Sequence, residues 1–538
     1  MFYKNYKLIF RQITFLKLIL FITFVSSCAD KENIDSSTVF RYNEHKNINS
    51  LDPIYAKDIA NIQAVNQLFN GLVEMDEKMN VIPSIAKSWE ISENGKLYTF
   101  TINKSVKFHE NPVFKKRSVS AYDFEYSFNR ILDPKNASPG KWIFDKVDKF
   151  EALNDSTFQI RLQKPFNAFL GILTMKYCSV VPKEAVEYYG EDFRSNPVGT
   201  GPFKFKRWEE NIKLVLRKNN DYFEKDLNGN KLPYLEAISI TFLPEKQSEF
   251  LQLIRGKIDF ISGLDNSYKD EIINNYGKLN SEYENKINML RGPYLNTEYL
   301  AFFGESQKDE IKSELIRKAI NIGFDKEKMI RYLRNGVGIP ANGGIIPVGL
   351  PGYKKSNVNE YNPEVAKSYV NRFKELYRKN PSLTLTTTSN YLDLCEFIQK
   401  ELEKIGIEIK IDVVPGSSLK QAKANGRVDF FRASWIADYP DAENYLSLFY
   451  SKNFAPDGPN YTHFNDSIFD KLYENSISIT DKEITKQSYS KMDSIITSKA
   501  VIVPLFYDEV IRFVSKDVIG MKINPTNLLD LRKVRKTN

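Results

Sequence analysis

The sequence predicts an α/β protein of several domains, and three observations carry that reading. First, residues 383–387, 407–413 and 428–431 are short apolar or β-branched runs, separated by helical content at 392–405 and 418–425. That order is β-α-β-α-β, which implies parallel strands joined through helices. Second, a shorter alternation stands earlier in the chain. There, 212–216 and 238–243 read as strands, 247–255 as a helix and 258–260 as a strand, a βαβ unit expected to cross over right-handed. Third, 538 residues exceed what one hydrophobic core usually supports, so about two to four domains are expected. A hydrophobic content of 42% with 27% charged residues fits a folded chain rather than long disorder.

The chain opens with Lys4, Lys7, Arg11 and Lys17, no acid, an apolar run at 18–25, and then Val25-Ser26-Ser27-Cys28. A basic start, a short apolar middle and small residues at the end make residues 1–27 a secretion signal. The apolar run is too short for a transmembrane helix, which takes about 20 residues. The segment resembles a bacterial lipoprotein signal, which would make Cys28 the lipidated first residue of the mature chain. A plain signal anchor with an incidental cysteine is the competing reading. Residues 28–37 are polar and without apolar period, so they read as a tether. Without the signal's four cations the formal net charge falls from +8 to +4. No basic cluster is interleaved with aromatics, and nucleic acid is not an expected partner. Cys178 and Cys395 lie far apart in sequence, so two buried free thiols are expected rather than a disulfide.

Beyond the tether, 39–42 reads as a strand, and Ile59, Ile62, Val65, Leu68 and Phe69 fit a 3.6-residue helical period. Residues 97–102 and 157–162 alternate with period 2, as half-buried strands do. Between them Ser120 and Asp123 form a capping box, after which Phe124, Phe128 and Ile131 stripe one helix face until Asp133-Pro134 ends it. That stripe is core. Asn196-Pro197-Val198-Gly199-Thr200-Gly201-Pro202-Phe203 sets two glycines and two prolines in eight residues, which fixes an unusual backbone path. It lacks the Lys-Ser/Thr pair of a phosphate-cradling loop, so phosphate binding is not expected. From about 293 the pattern restarts with a strand at 299–303, helices at 311–320 and 326–333, and a Gly- and Pro-rich loop at 336–352. Further apolar segments lie at 444–449 and 469–477, and 501–506 reads as a strand returning to the start of the fold.

The strand at 428–431 leads into Arg432-Ala433-Ser434-Trp435-Ile436-Ala437-Asp438-Tyr439-Pro440-Asp441. Open parallel sheets gather ligands beyond the carboxyl ends of their strands. Read as the loop at such an end, this stretch offers a guanidinium, an indole, a phenol and two carboxylates. A solvated loop whose Trp435 and Tyr439 only cap the core is the competing reading. A reactive constellation is harder to find. The histidines are His45, His109 and His463, and there is no His-Glu-x-x-His, no Cys-x-x-Cys and no Gly-x-Ser-x-Gly. Asp438 with Asp441 suits glycoside hydrolysis only at the right separation in space, which sequence does not give. A non-catalytic role with no cofactor and no resident metal is expected, with a secreted hydrolase as the weaker alternative.

Five stretches in order carry a resemblance. They are Ser50-Leu51-Asp52-Pro53 with Phe69-Asn70-Gly71-Leu72, Pro83-Ser84-Ile85-Ala86-Lys87-Ser88-Trp89-Glu90, the 196–203 motif, Lys318-Ala319-Ile320-Asn321 with Gly336-Val337-Gly338-Ile339-Pro340-Ala341, and the 432–441 segment. Together they resemble the family 5 extracellular solute-binding proteins, the oligopeptide- and dipeptide-binding components of ABC transporters, over nearly everything after residue 37. The resemblance implies an α/β, two-lobed periplasmic-binding-protein architecture with an additional small domain and a discontinuous first lobe. Lobe I would take 38–79, 196–292 and 499–538, the extra domain 80–195, and lobe II 293–498. It further implies a monomer that closes on a peptide and delivers it to a membrane permease, held by its lipid on the periplasmic or extracellular side of a membrane. By matched position, Asp438 is expected to meet the ligand's α-ammonium and Arg432 its terminal carboxylate. Trp435 and Tyr439 would wall the cleft beside Ala437, although simple lobe packing fits both rings equally well. One position departs from the pattern. Some relatives carry an acidic residue shortly after Leu-Asp-Pro, where this chain reads Ile54-Tyr55-Ala56-Lys57-Asp58, and that leaves a non-peptide solute such as an oligosaccharide or metal chelate open.

Overall fold

Lobe I begins with β1 (Val39–Asn43) and α1 (Ile59–Leu68), in a computed structural model that describes residues 36–479 and 481–537. The expected signal, Cys28 and most of the tether lie outside the described residues. β1 buries Phe40 and Tyr42, and α1 buries Val65 and Leu68 of the expected stripe but leaves Ile59 exposed. A short hairpin, β2 (Val73–Met75) and β3 (Val81–Pro83), leads out of the lobe.

The extra domain is an antiparallel sheet of β4 (Ala86–Ser92), β5 (Leu97–Ile102), β6 (Val147–Asn154) and β7 (Thr157–Leu162), in the order β4-β5-β7-β6. β5 and β7 have the bounds their alternation predicts, with Phe100, Ile102, Phe158 and Ile160 facing inward. The helix α2 (Ala121–Leu132) covers that face. At its start the Asp123 carboxylate accepts from the Ser120 amide at 2.8 Å, which closes the expected capping box. The Phe128 ring then lies 5.5 Å from Phe158 and 5.6 Å from Phe150, at edge-to-face angles that favour aromatic attraction.

After this insertion the chain returns to lobe I through the 196–203 motif, whose glycines pass tightly over the end of α1. A Cβ on Gly199 would stand 2.1 Å from the Leu68 carbonyl oxygen, and one on Gly201 would stand 2.4 Å from the Leu68 carbonyl carbon. Only glycine fits there. The Gly201 amide donates to Leu68 O at 2.9 Å, the Gly199 amide donates to His109 Nδ1 at 3.3 Å, and His109 Nε2 lies 3.0 Å from Gly201 O. Burial pushes His109 down to about 4, so the ring is neutral and can accept at one nitrogen while it donates at the other. The motif is thus a clasp between α1 and the extra domain. β8 (Phe203–Glu209), β9 (Lys213–Lys218), β10 (Ala237–Thr241), α3 (Lys246–Ile254) and β11 (Phe260–Ser262) complete the lobe. β1 lies between β10 and β11 and runs parallel to both, so the expected βαβ crossover spans it.

The two lobes share one sheet. β12 (Ile287–Phe302) runs out of lobe I into lobe II, where α4 (Glu314–Ile322), α5 (Lys326–Leu333), α6 (Pro363–Tyr377), β13 (Ser382–Thr387), α7 (Leu392–Glu403), β14 (Glu408–Val413), α8 (Gly416–Ala424), β15 (Phe430–Ile436), α9 (Ser467–Ser476) and α10 (Lys482–Ser498) follow. β16 (Ile502–Ser515) then returns antiparallel to β12, from Ala301↔Ile502 to Ile287↔Ser515. The sheet order is β14-β13-β15-β12-β16-β11-β1-β10-β9-β8, with residues 339–340 paired to β16 as an eleventh strand. β13 runs parallel to both β14 and β15, as the alternation predicts.

Three differences from the sequence reading have physical causes. β12 and β16 are far longer than the runs 299–303 and 501–506. Gly292-Pro293 and Pro504 look like strand breakers, yet both prolines sit at register shifts of the pair, where a missing amide is tolerated. The helix expected at 311–320 is divided at Ser313, whose extended backbone (φ −73°, ψ 115°) ends the turn Asp309–Lys312 and stands at the N-cap of α4. β15 continues through Arg432 to Ile436, because those residues pair with β12 as Leu300↔Arg432 and Thr297↔Trp435. The loop therefore starts only at Ala437. Cys178 and Cys395 are buried free thiols, as expected.

Candidate functional site

A cavity of about 590 Å³ opens between the lobes, lined by all three parts of the fold. Lobe I supplies Lys57, Ile59 and Glu74, the extra domain supplies Trp142, Lys176 and Tyr177, and lobe II supplies Tyr294 and residues 436–438. The C-terminal segment adds Lys522 and Arg532.

Asp438 stands at the head of the loop that follows β15. Asn444 holds this loop in place: its Oδ1 accepts from Trp435 Nε1 at 2.7 Å and from the Asp438 amide at 3.1 Å. The Ala437 amide donates to Leu295 O at 2.9 Å, which ties the same turn to β12. Fixed this way, the Asp438 side chain is exposed to the cleft. The surrounding walls still strip it of enough hydration to push its carboxyl above the ordinary range, partly offset by a hydrogen bond from Asn444. Among the described residues it has no ion-pair partner.

The other expected contacts are placed differently. Arg432, expected beside a ligand carboxylate, is not in the cleft lining. Its guanidinium pairs with buried Glu298 and lies 3.2 Å from the centre of the Tyr391 ring. Trp435 is half-buried against the lobe II core, with its indole N–H committed to Asn444. Tyr439 is buried. Its hydroxyl donates to Glu443, which also accepts from Tyr473, and its ring centre lies 6.3 Å from that of Trp142. Ala437 and Asp438 thus face the cleft, while Arg432, Trp435 and Tyr439 hold the framework behind them.

Several cleft residues carry no sequence signal at all. Met75 and Met79 on the β2–β3 hairpin, Trp142 and Met175 come from three stretches of chain, and only the tertiary fold gathers them. Arg532 is equally hidden near the end of the chain. It binds Glu74 at 2.8 Å and both Glu224 and Asp530 at 2.7 Å, which fastens the C-terminal segment to β2. Lys57, singled out by its departure from an acidic position, does line the cleft.

Two α/β lobes joined by a pair of crossing strands, with the Asp438 carboxylate in the space between them, form a cleft suited to a small solute. The comparisons place it further. A family model described as bacterial extracellular solute-binding proteins, family 5 (middle), matches residues 80–457, and the chain belongs to that family. It is similar to Heme-binding protein A of Haemophilus influenzae, 28% identical over 465 residues that cover 82% of this chain and 81% of that protein. It is also similar to the Dipeptide-binding protein of Escherichia coli, 26% identical over 487 residues, or 85% and 87% of the two chains. Among solved structures, HbpA2 from Haemophilus parasuis superposes with a TM-score of 0.82 at 24% identity, covering 93% of this chain and 100% of that one. The periplasmic binding protein DppA from Helicobacter pylori, in complex with the peptide STSA, does so with a TM-score of 0.74 at 26% identity, covering 93% and 98%. The protein is an extracytoplasmic solute-binding component of an ABC transporter, and its fold is the bilobed one of that class.

Proposed function

We propose that the cleft captures peptides by their amino terminus and presents them to the membrane permease, as a receptor that performs no chemistry on its cargo. Asp438 is the observation that carries this reading. It is an exposed carboxylate in the cleft, positioned by Asn444 and without a cationic partner among the described residues. A carboxylate and an α-ammonium, with ordinary pKa values near ~3.9 and ~7.7–8.0, are oppositely charged at neutral pH. Hinge closure removes the water that screens them. Asp438→Asn keeps the shape and removes the charge, which strands a desolvated cation at a cost of about 2–5 kcal/mol. That is roughly 30-fold to a few thousand-fold in affinity. Acetylating the peptide's amino terminus should cause a similar loss in the wild type and little further loss in the Asn variant, since both changes remove one interaction. Calorimetry on both proteins with free and acetylated peptide is the test, and fully additive losses would refute the role of Asp438.

A second reading has one observation in its favour. Met75, Met79 and Met175 all line the cleft, and thioethers suit a haem or another metal chelate as cargo, the ligand named for one relative. The same calorimeter with hemin in place of peptide separates the two. Anchoring is a further part of the proposal. Cys28 would carry the lipid, so Cys28→Ser should release the protein from the membrane without altering the fold, and unchanged membrane retention would refute it.

A further inference from the structure

Lys176 belongs to a single helical turn of the extra domain, Lys176–Cys178, and its side chain lines the cleft. It is half-buried, and among the described residues it has neither a hydrogen-bond acceptor nor an ion-pair partner. The nearby carboxylates are already engaged, because Arg532 holds Glu74 at 2.8 Å and Asp530 and Glu224 at 2.7 Å. Burial pushes the Lys176 ammonium down to about 8, while the charges of Glu74 and Asp530 act at longer range to keep it protonated and Arg532 opposes them. The other cleft lysines differ. Lys57 and Lys533 are exposed, so water serves them, and Lys522 pairs with Glu77 at 2.8 Å. An ammonium has three donors, and when the cleft closes on cargo those of Lys176 need acceptors in place of water. Tyr177, next in the chain, is near enough to Asp438 to feel its charge, and Lys176 and Asp438 line the same cavity.

We propose that Lys176 recognises a carboxylate of the cargo, so that the cleft selects ligands with a cationic end for Asp438 and an anionic group for Lys176. This rests on the peptide reading above and narrows it. In a short peptide the carboxylate is the terminal one, and in a longer peptide it is an acidic side chain.

The test compares tri-alanine as free acid and as C-terminal amide, then Ala-Glu-Ala amide against Ala-Gln-Ala amide, on wild type, Lys176→Gln and Lys176→Arg. One of the two carboxylate pairs should favour the acid in wild type by about 10- to 100-fold, the range of a charge-assisted hydrogen bond. Which pair does so identifies the source of the carboxylate. The preference should collapse in Lys176→Gln, survive in Lys176→Arg, and leave the affinity of the neutral peptides nearly unchanged. Equal binding within both pairs by wild type overturns the proposal without any variant, as does a preference that persists in Lys176→Gln. Normal loss on Asp438→Asn with no effect of Lys176→Gln defeats this proposal alone. Failure of every peptide to bind defeats the peptide reading and this proposal together.

Discussion

At the scale of single residues, the charges of this protein divide into those already satisfied and those left over. Arg432 is the instructive case of the first kind. A guanidinium paired with a buried carboxylate and stacked on a tyrosine has little left to offer a ligand, whatever its place in a motif. Asp493 is a different kind of leftover, a carboxyl enclosed by lobe II. Burial pushes it up to about 7 from an ordinary 3.8, although it accepts from the Ile345 amide at 2.7 Å. Between those two values the folded state holds a proton that the unfolded chain releases, so stability falls as pH rises through that window. Asp493→Asn keeps an acceptor for the amide and carries no such proton. Relative to wild type, the variant should therefore gain in melting temperature as pH is raised from about 4 to 7. Glu44 and Asp441 are also pushed up, to about 7 and about 6, but they are common to both proteins and cancel in the difference. A constant difference across that range would show that Asp493 does not titrate there.

At the scale of elements, what the sequence reveals depends on how local the cause is. β5, β7 and α5 have the bounds their own residues predict, because alternation, periodicity and helix-ending residues act within a few positions. β15 and β12 do not, because their extent is set by each other across more than a hundred residues of chain. That non-local pairing also explains the site. Arg432 and Trp435 read as loop residues, but pairing with β12 turns them into strand residues, and the ligand-facing part shrinks to Ala437 and Asp438. α6 is a helix the sequence reading did not single out, though its signals are present: Asn362 caps it through Val365, Pro363 starts it, and Ala366, Val370 and Phe373 are buried on one face. The 196–203 motif was legible as a constrained backbone. Its partner was not, since nothing in those eight residues names the end of α1 or His109.

At the scale of the whole molecule, the two-lobed plan with a small extra domain followed from the motifs that resemble the family, whereas the lining of the cleft was not legible. Its residues come from stretches scattered between Ala56 and Lys533, and most are individually unremarkable in sequence. One interdomain contact has a practical consequence. Trp142 borders the cleft from the extra domain and lies against Tyr439 of lobe II, while the other indoles, Trp89, Trp208 and Trp435, lie outside the cleft lining. Any relative movement of these parts must change the surroundings of that one indole. The protein thus carries a native optical reporter: titration with cargo should shift the wavelength and intensity of tryptophan emission, and Trp142→Phe should remove most of that signal, leaving at most a small part from Trp435, whose indole N–H shares Asn444 with the Asp438 amide. Stopped-flow recording of the same signal would then time closure directly, with no dye attached.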